Sequence, residues 1–339
     1  MNIVDFSVFQ HAAPVKVKGY IEIPLEQGSV HLPVYMIQGK AHPRITIVGA
    51  QHSCEYCGSD AMIQLIQDFD QIDPNDVNGS IVMIPVANVP GYPRRVCCVS
   101  QFDGSNLNRS YPGDPHGTTC ERIAHAIWSI AKTGDYVLDL HGGDISEYII
   151  RYAEMHRCDN DSINQASMRL ASCFDLEAIL FSVAGRDYGY PDYRSLYGLA
   201  QENGIPASII EAGGTGISDE DSIEYFYEGL KNVFHRFGLI DLPRKPEWAK
   251  EARPIPTTMG VSCIERPSEG RFVSFVSAGD RVQKGQLLGE ITDYFGQVQD
   301  RICSPYTGIV SLVQSTRGKS EDDLIYMVLD LEHGELVEV

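Results

Sequence analysis

Four side chains able to bind a cation or move a proton stand out by type and setting: His52 and Glu55 in "VGAQHSCEYCG", His141 in "DLHGGD" and Glu211 in "IIEAGG". Two histidines and a carboxylate, with one coordination position left open, form the usual ligand set of a catalytic zinc, and a second carboxylate is the usual partner for its water. His52 and Glu55, at i and i+3, can clasp an ion from one turn, while His141 completes the shell from elsewhere in the chain. Each piece alone has a plainer reading. His-x-x-Glu is mostly a solvated turn, "DLHGGD" can end a strand with Asp139 as a helix cap, and "EAGGTG" can be a tight turn with Glu211 at the surface. Their joint occurrence, each after an apolar run, favours the metal site. The same opening segment carries Cys54-x-x-Cys57, so a redox pair or half of a structural zinc site is the rival.

The elements that must position these groups alternate along the chain. "ITIVGA", "IVMIPV", "YVLDL", "AILFSV" and "ASIIEAG" read as buried strands, with near-continuous apolar content that suits strands covered on both faces. Between them "GSDAMIQLIQDF", "TTCERIAHAIWSIA", "SINQASMRLASCF" and "YRSLYGLAQEN" read as helices. After Ser218, the predicted N-cap, apolar residues at Ile223, Phe226, Tyr227, Leu230, Val233, Phe234 and Phe237 keep helical spacing. Strands alternating with helices give an α/β fold around a mostly parallel or mixed sheet, whose ligand crevice lies at the carboxyl ends of the strands. That is where all four candidate groups fall.

Composition sets the outer bounds. A chain of 339 residues, 43% hydrophobic, can bury a sizeable core. With 46 acidic and 27 basic side chains, its net charge of -19 argues against a general nucleic-acid binder, which needs a basic face. No long apolar run suggests a membrane span or a leader, so a cytoplasmic protein is expected. Nine scattered cysteines are expected as reduced thiols.

"DLPRKPEWAKEARPIP" is rich in proline and charge and lacks either period, which predicts a catalytic domain over 1–245 and a second domain over 246–339. In the latter, "GRFVSFVSAGDRVQKGQLLGEITD" and "ICSPYTGIVSLV" read as short strands with tight turns, a small β barrel or sandwich.

"GAQHSCE", "DGSNLNRSYPG", "DLHGGD" and "IPASIIEAGG" follow the order found in the succinylglutamate desuccinylase/aspartoacylase family, a branch of the zinc-carboxypeptidase superfamily, which residues 45–216 resemble. The resemblance implies a zinc-carboxypeptidase-like fold with one Zn2+ per chain held by His52, Glu55 and His141, and Glu211 as general base and acid. It implies a zinc-dependent amidohydrolase, a deacylase that cleaves the amide of an N-acyl amino acid or a related small N-acylated amine. Asn108 and Arg109 match the family's asparagine and arginine that hold the substrate carboxylate, a task suited to the two-pronged guanidinium. Arg194 resembles a further anion-binding position, and Arg94 or Arg95 is the candidate to stabilise the oxyanion. The partners are a small N-acylated molecule, no nucleic acid and no membrane, with a homo-oligomer left open.

The sequence departs from the family in two places. Ser53 stands where glycine usually follows the first histidine, so "HSCEY" is also similar to the His-Ser-x-Glu of carboxypeptidases, and a peptidase is the alternative function. Cys98 stands where many relatives place an arginine. A structural thiol site would need a second spaced pair, and Cys97 and Cys98 are adjacent. The β segment resembles a lipoyl or biotinyl domain, yet its hairpin "TDYFGQVQDR" lacks the carrier lysine and Lys284 sits in an earlier turn. Tyr294 and Tyr306 are its aromatic candidates to approach the site, with ordinary β packing the plainer reading.

Overall fold

The computed structural model describes the chain apart from residues 12, 96–102, 183–193, 247, 249–253, 322 and 338–339. Cys97 and Cys98 therefore lie outside the described residues. Among the described residues, eight strands and five α-helices precede residue 240. The strands are β1 (Val15–Pro24), β2 (Ser29–Gln38), β3 (Arg44–Gly49), β4 (Ser80–Ile84), β5 (Tyr136–His141), β6 (Glu147–His156), β7 (Ala178–Ser182) and β8 (Ala207–Gly214). The helices are α1 (Cys57–Phe69), α2 (Thr119–Ala131), α3 (Asp161–Ala171), α4 (Leu196–Glu202) and α5 (Glu220–Arg236).

The strands lie in the order β1-β2-β4-β3-β5-β8-β6, with β7 on β6. The centre, β4-β3-β5-β8, is parallel, and β2 and β6 join it antiparallel, so the sheet is mixed. β3 and β4 are buried at every position, as strands covered on both faces must be. One face carries α1, α3 and α5, where Leu65, Phe226 and Phe234 pack on Ile47, Met83 and Leu138. The other carries α2 and α4, where Ile123, Ile127 and Leu196 pack on Val48, Val82 and Val137. Truncating one such large core side chain to alanine costs about 2–5 kcal/mol.

The elements differ from the sequence reading in places. The N-cap of α5 is Asp219, whose carboxylate accepts from the Ser222 amide, while Ser218 turns outward and donates its hydroxyl to Asp60. The predicted cap is thus one residue early, because the shorter serine finds a carboxylate on α1 instead. β1 and β2 lie outside the strands expected from the sequence, and so does β6. Its "EYIIRYAEMH" mixes charged and apolar residues, yet it pairs β8 on one side and β7 on the other.

Among the described residues beyond 254, all elements are strands. Gly308–Gln314 pairs antiparallel with β6, and Ile255–Thr258 pairs parallel with β7, so this segment extends the main sheet. A four-stranded sheet of Val298–Cys303, Leu287–Thr292, Gly270–Ser274 and Gly318–Lys319 completes it. Phe272, Ile291, Ile302 and Tyr326 form a separate small core, against which Tyr306 packs. Tyr294 instead stands 86% exposed at the turn between two of these strands, outside any core. Among the described residues, no helix is long and apolar enough to cross a membrane.

Candidate active site

The site grows from the carboxyl ends of β3, β5 and β8. After β3 the chain turns at Ala50, whose φ of 50° bends it out of the strand. The Glu55 amide then donates to the His52 carbonyl at 3.2 Å, closing a turn that brings the two side chains together. His141 is the last residue of β5 and is paired in register with Glu211 of β8. On adjacent parallel strands, register partners point to the same face, so both side chains enter one space. The backbones beside them approach closely: a Cβ at Gly142 would lie 2.5 Å from the Ala212 carbonyl oxygen.

The Glu55 carboxylate bridges both histidines, with Oε1 2.7 Å from His52 Nδ1 and Oε2 2.9 Å from His141 Nδ1. The imidazoles meet edge to face, their centroids 4.9 Å apart. One ligating atom from each of His52, Glu55 and His141 falls within a 4.8 Å cluster. The far nitrogens are held by neighbours: His52 Nε2 is 3.2 Å from Asn106 Oδ1, and His141 Nε2 is 3.0 Å from Asp139 Oδ1. Two Nδ1 atoms and a carboxylate that converge, each imidazole fixed from behind, form a donor set that fits a divalent cation of the zinc type.

Charge in this pocket is tightly linked. Burial pushes the Glu55 carboxyl up, but the two histidines outweigh it and bring it to about 2. Burial lowers His141, yet Asp139 and Glu55 together hold it well above the usual histidine value. Glu211 goes the other way. Burial above all, with Glu55 and Glu154 adding repulsion, raises it well above the usual carboxylate range, although His141 and His52 oppose this. Its Oε2 is buried without a hydrogen-bond partner among the described residues. A carboxyl with an open oxygen and raised proton affinity is equipped to take up and return a proton.

Asn108 joins this cluster. It is buried, its Oδ1 accepts from the Leu196 amide at 3.3 Å, and its Nδ2 lies 3.5 Å from His141 Nε2. Arg109 is half-buried and donates to the Asn108 carbonyl at 2.7 Å, and its charge acts on His156 and Tyr197. Arg194 is exposed, and its carbonyl accepts from the Tyr111 amide at 3.1 Å. Arg94 and Arg95 both face solvent on the loop after β4; Arg94 donates to the Pro90 carbonyl and Arg95 has a left-handed backbone with φ of 55°. The structure thus gathers His52, Glu55, His141, Glu211 and Asn108 in one largely buried group, while Arg94, Arg95 and Arg194 are exposed.

Four residues of the site escaped sequence reasoning: Gln51, Asn106, Tyr111 and, as more than a cap, Asp139. Only Asp139 left a signal, because two positions before His141 on a strand it must share that residue's face.

The thiols do not form a pair. Cys54 Sγ lies 3.5 Å from Asp144 Oδ1, whereas Cys57 opens α1 and reaches the Ile217 carbonyl and Asp219 at 3.6 Å. Burial first, with nearby acids, pushes the Cys57 thiol up to about 12, the opposite of what a redox thiolate requires.

A deacetylase of N-alpha-acetyl-L-2,4-diaminobutyric acid from Halomonas elongata is 28% identical over 81% of this chain and 79% of its own length. The fold is similar to the product-bound ectoine utilization protein EutE (DoeB) from Ruegeria pomeroyi, with TM-score 0.82 and 23% identity over 94% of this chain and 96% of that one. It is also similar to a succinylglutamate desuccinylase from a Silicibacter species, with TM-score 0.81 and 22% identity over 95% of both chains. Residues 41–236, which hold every group of the buried cluster, match the succinylglutamate desuccinylase/aspartoacylase catalytic domain, and the chain belongs to that family.

Proposed function

We propose that this protein is a zinc-dependent hydrolase that cleaves the amide bond of a small N-acylated amino acid. The observation that carries the reading is the bridge of Glu55 between the Nδ1 atoms of His52 and His141, with the open carboxyl of Glu211 beside it. His52, Glu55 and His141 would hold the ion. When bound, zinc supplies a Lewis acid that draws the pKa of water from 15.7 toward about 7.

Glu211 takes a proton from the attacking water onto its unpartnered Oε2 and delivers it to the leaving nitrogen, so the same carboxyl is base and then acid. Its environment supports this, because burial raises its proton affinity above that of an ordinary carboxylate. Arg109 is assigned the substrate carboxylate, with Asn108 beside it and Arg194 at the outer rim. The developing oxyanion is assigned to Arg94 or Arg95, the cations of the loop after β4. The domain over 1–245 carries all of these residues, and that over 246–339 buttresses them through the pairing of Gly308–Gln314 with β6. The deacetylase relative makes an N-acetylated diamino acid the first substrate to try.

The test is release of free amine from N-acetyl, N-succinyl and N-formyl amino acids, including N-acetyl-2,4-diaminobutyrate, alongside short peptides, all with zinc present. Cleavage of one or more acyl amino acids is expected. Cleavage of peptides alone would transfer the protein to the carboxypeptidases.

A further inference from the structure

We propose that Gln51 and Tyr111 are positioning residues: through Asp139 they hold His141 in the one tautomer that can bind a cation, and they tie the "NLNRSY" turn to the metal site. The proposal rests on the zinc reading above. The contacts form an unbroken buried chain. The Tyr111 hydroxyl donates to Gln51 Oε1 at 2.6 Å, and Gln51 Nε2 donates to Asp139 Oδ2 at 2.6 Å. Asp139 Oδ1 in turn lies 3.0 Å from His141 Nε2. Gln51 and Asp139 are wholly enclosed, and Tyr111 and His141 are 3% exposed.

The direction of every bond follows from what each atom can do. A carboxylate only accepts, so the Gln51 atom facing Asp139 is its NH2 and the atom facing Tyr111 is its carbonyl. That carbonyl accepts too, so Tyr111 must donate. Burial, with Asp139 adding to it, raises the Tyr111 phenol well above its usual value, which keeps that proton in place. With Oδ2 engaged by Gln51, Asp139 keeps Oδ1 as an ion-pair partner 3.0 Å from His141 Nε2, which favours the proton on that nitrogen. Nδ1, 2.9 Å from Glu55 Oε2, is then the nitrogen left for a cation, whose binding displaces its proton. Asn108 Nδ2 also lies 3.5 Å from that Nε2, but a charged acceptor at 3.0 Å outweighs a neutral donor at the longer distance.

The relay joins three segments that are distant in sequence. Gln51 immediately precedes His52, Asp139 and His141 share one face of β5, and Tyr111 lies two residues beyond Arg109. Loss of the Gln51 amide would leave Asp139 charged but no longer aimed, and outer partners of this kind typically govern metal affinity by about 10–100-fold.

The test compares the full-length wild type with Gln51→Met, Tyr111→Phe and a control, Tyr35→Phe. The Tyr35 hydroxyl is also buried, has no hydrogen-bond partner among the described residues and sits in the core against α1 and α5. Zinc affinity is measured by chelator competition, and melting temperature is recorded without metal. Gln51→Met should weaken zinc by about 10–100-fold and Tyr111→Phe by a smaller factor, with Tyr35→Phe unchanged. Wild-type affinity in both Gln51→Met and Tyr111→Phe would overturn the relay and leave the zinc site standing. An equal loss in Tyr35→Phe would also overturn it, by assigning the effect to general loosening. A wild type that binds no zinc would overturn both readings.

Discussion

His141 and Glu211 are register partners on adjacent parallel strands, the one ending β5 and the other near the end of β8. Their spacing is therefore set by the sheet itself, at about 4.8 Å between strands, and not by a loop. The proposed ligand and the proposed proton carrier cannot drift apart without breaking main-chain hydrogen bonds.

Gly142 guards this spacing, because a Cβ there would press on the Ala212 carbonyl oxygen at 2.5 Å. Gly142→Ala should destabilise the protein by about 1–3 kcal/mol. It should also lower kcat/KM by up to about 10²-fold, the usual penalty of misplacing a reacting group by about 1 Å. Denaturant melts and steady-state kinetics check the two effects separately.

The proposed metal site makes a stoichiometric prediction. Wild-type protein should retain about one zinc per chain after dialysis, and the His52→Ala, His141→Ala double variant should retain almost none. Elemental analysis decides the point, and tight zinc in the double variant would place the ion elsewhere.

The thiols should be dispensable. Cys54 and Cys57 have separate partners, and the Cys57 thiol is pushed up to about 12 by its burial. A Cys54→Ser, Cys57→Ser variant should keep hydrolysis within a few-fold of wild type. Collapse of activity with zinc still bound would revive the thiol reading.

Stability should depend on pH through His156. Burial brings its pKa down to about 4, with the Ser182 hydrogen bond opposing and the Arg109 charge assisting. Between pH 6.5 and about 4 the unfolded chain binds this proton and the folded one does not, so stability falls as pH is lowered through that window. A shift of this size corresponds to about 3 kcal/mol. Urea melts of wild type and His156→Gln should show a shallower acid-side loss in the variant. Parallel curves would remove His156 as the cause.

How much of this was legible in the sequence depended on whether a residue's role was local. β3, β5 and β8 announced themselves as short apolar runs, and His52, Glu55, His141 and Glu211 were found because each follows or ends one. β6 was hidden because its charges are satisfied only by the fold: Glu154, 5% exposed within the strand, accepts from the Tyr197 hydroxyl of α4 at 2.6 Å. Gln51 and Tyr111 were invisible for the same reason, being 60 positions apart and meaningful only through their shared contact. Arg194 rests on resemblance alone, and Arg94 and Arg95 on the need for a cation at the oxyanion; the fold leaves all three side chains on exposed ground.

Glu211→Gln tests the proposed chemistry most directly. The amide keeps the shape of the side chain and removes its capacity to carry a proton, so the variant should bind about one zinc per chain as wild type does. Its kcat on the best acyl amino acid should fall by about 10²–10⁴-fold, the contribution expected of a proton-transfer group. Wild-type turnover in zinc-loaded Glu211→Gln would contradict the assignment of Glu211 and the hydrolytic mechanism built on it.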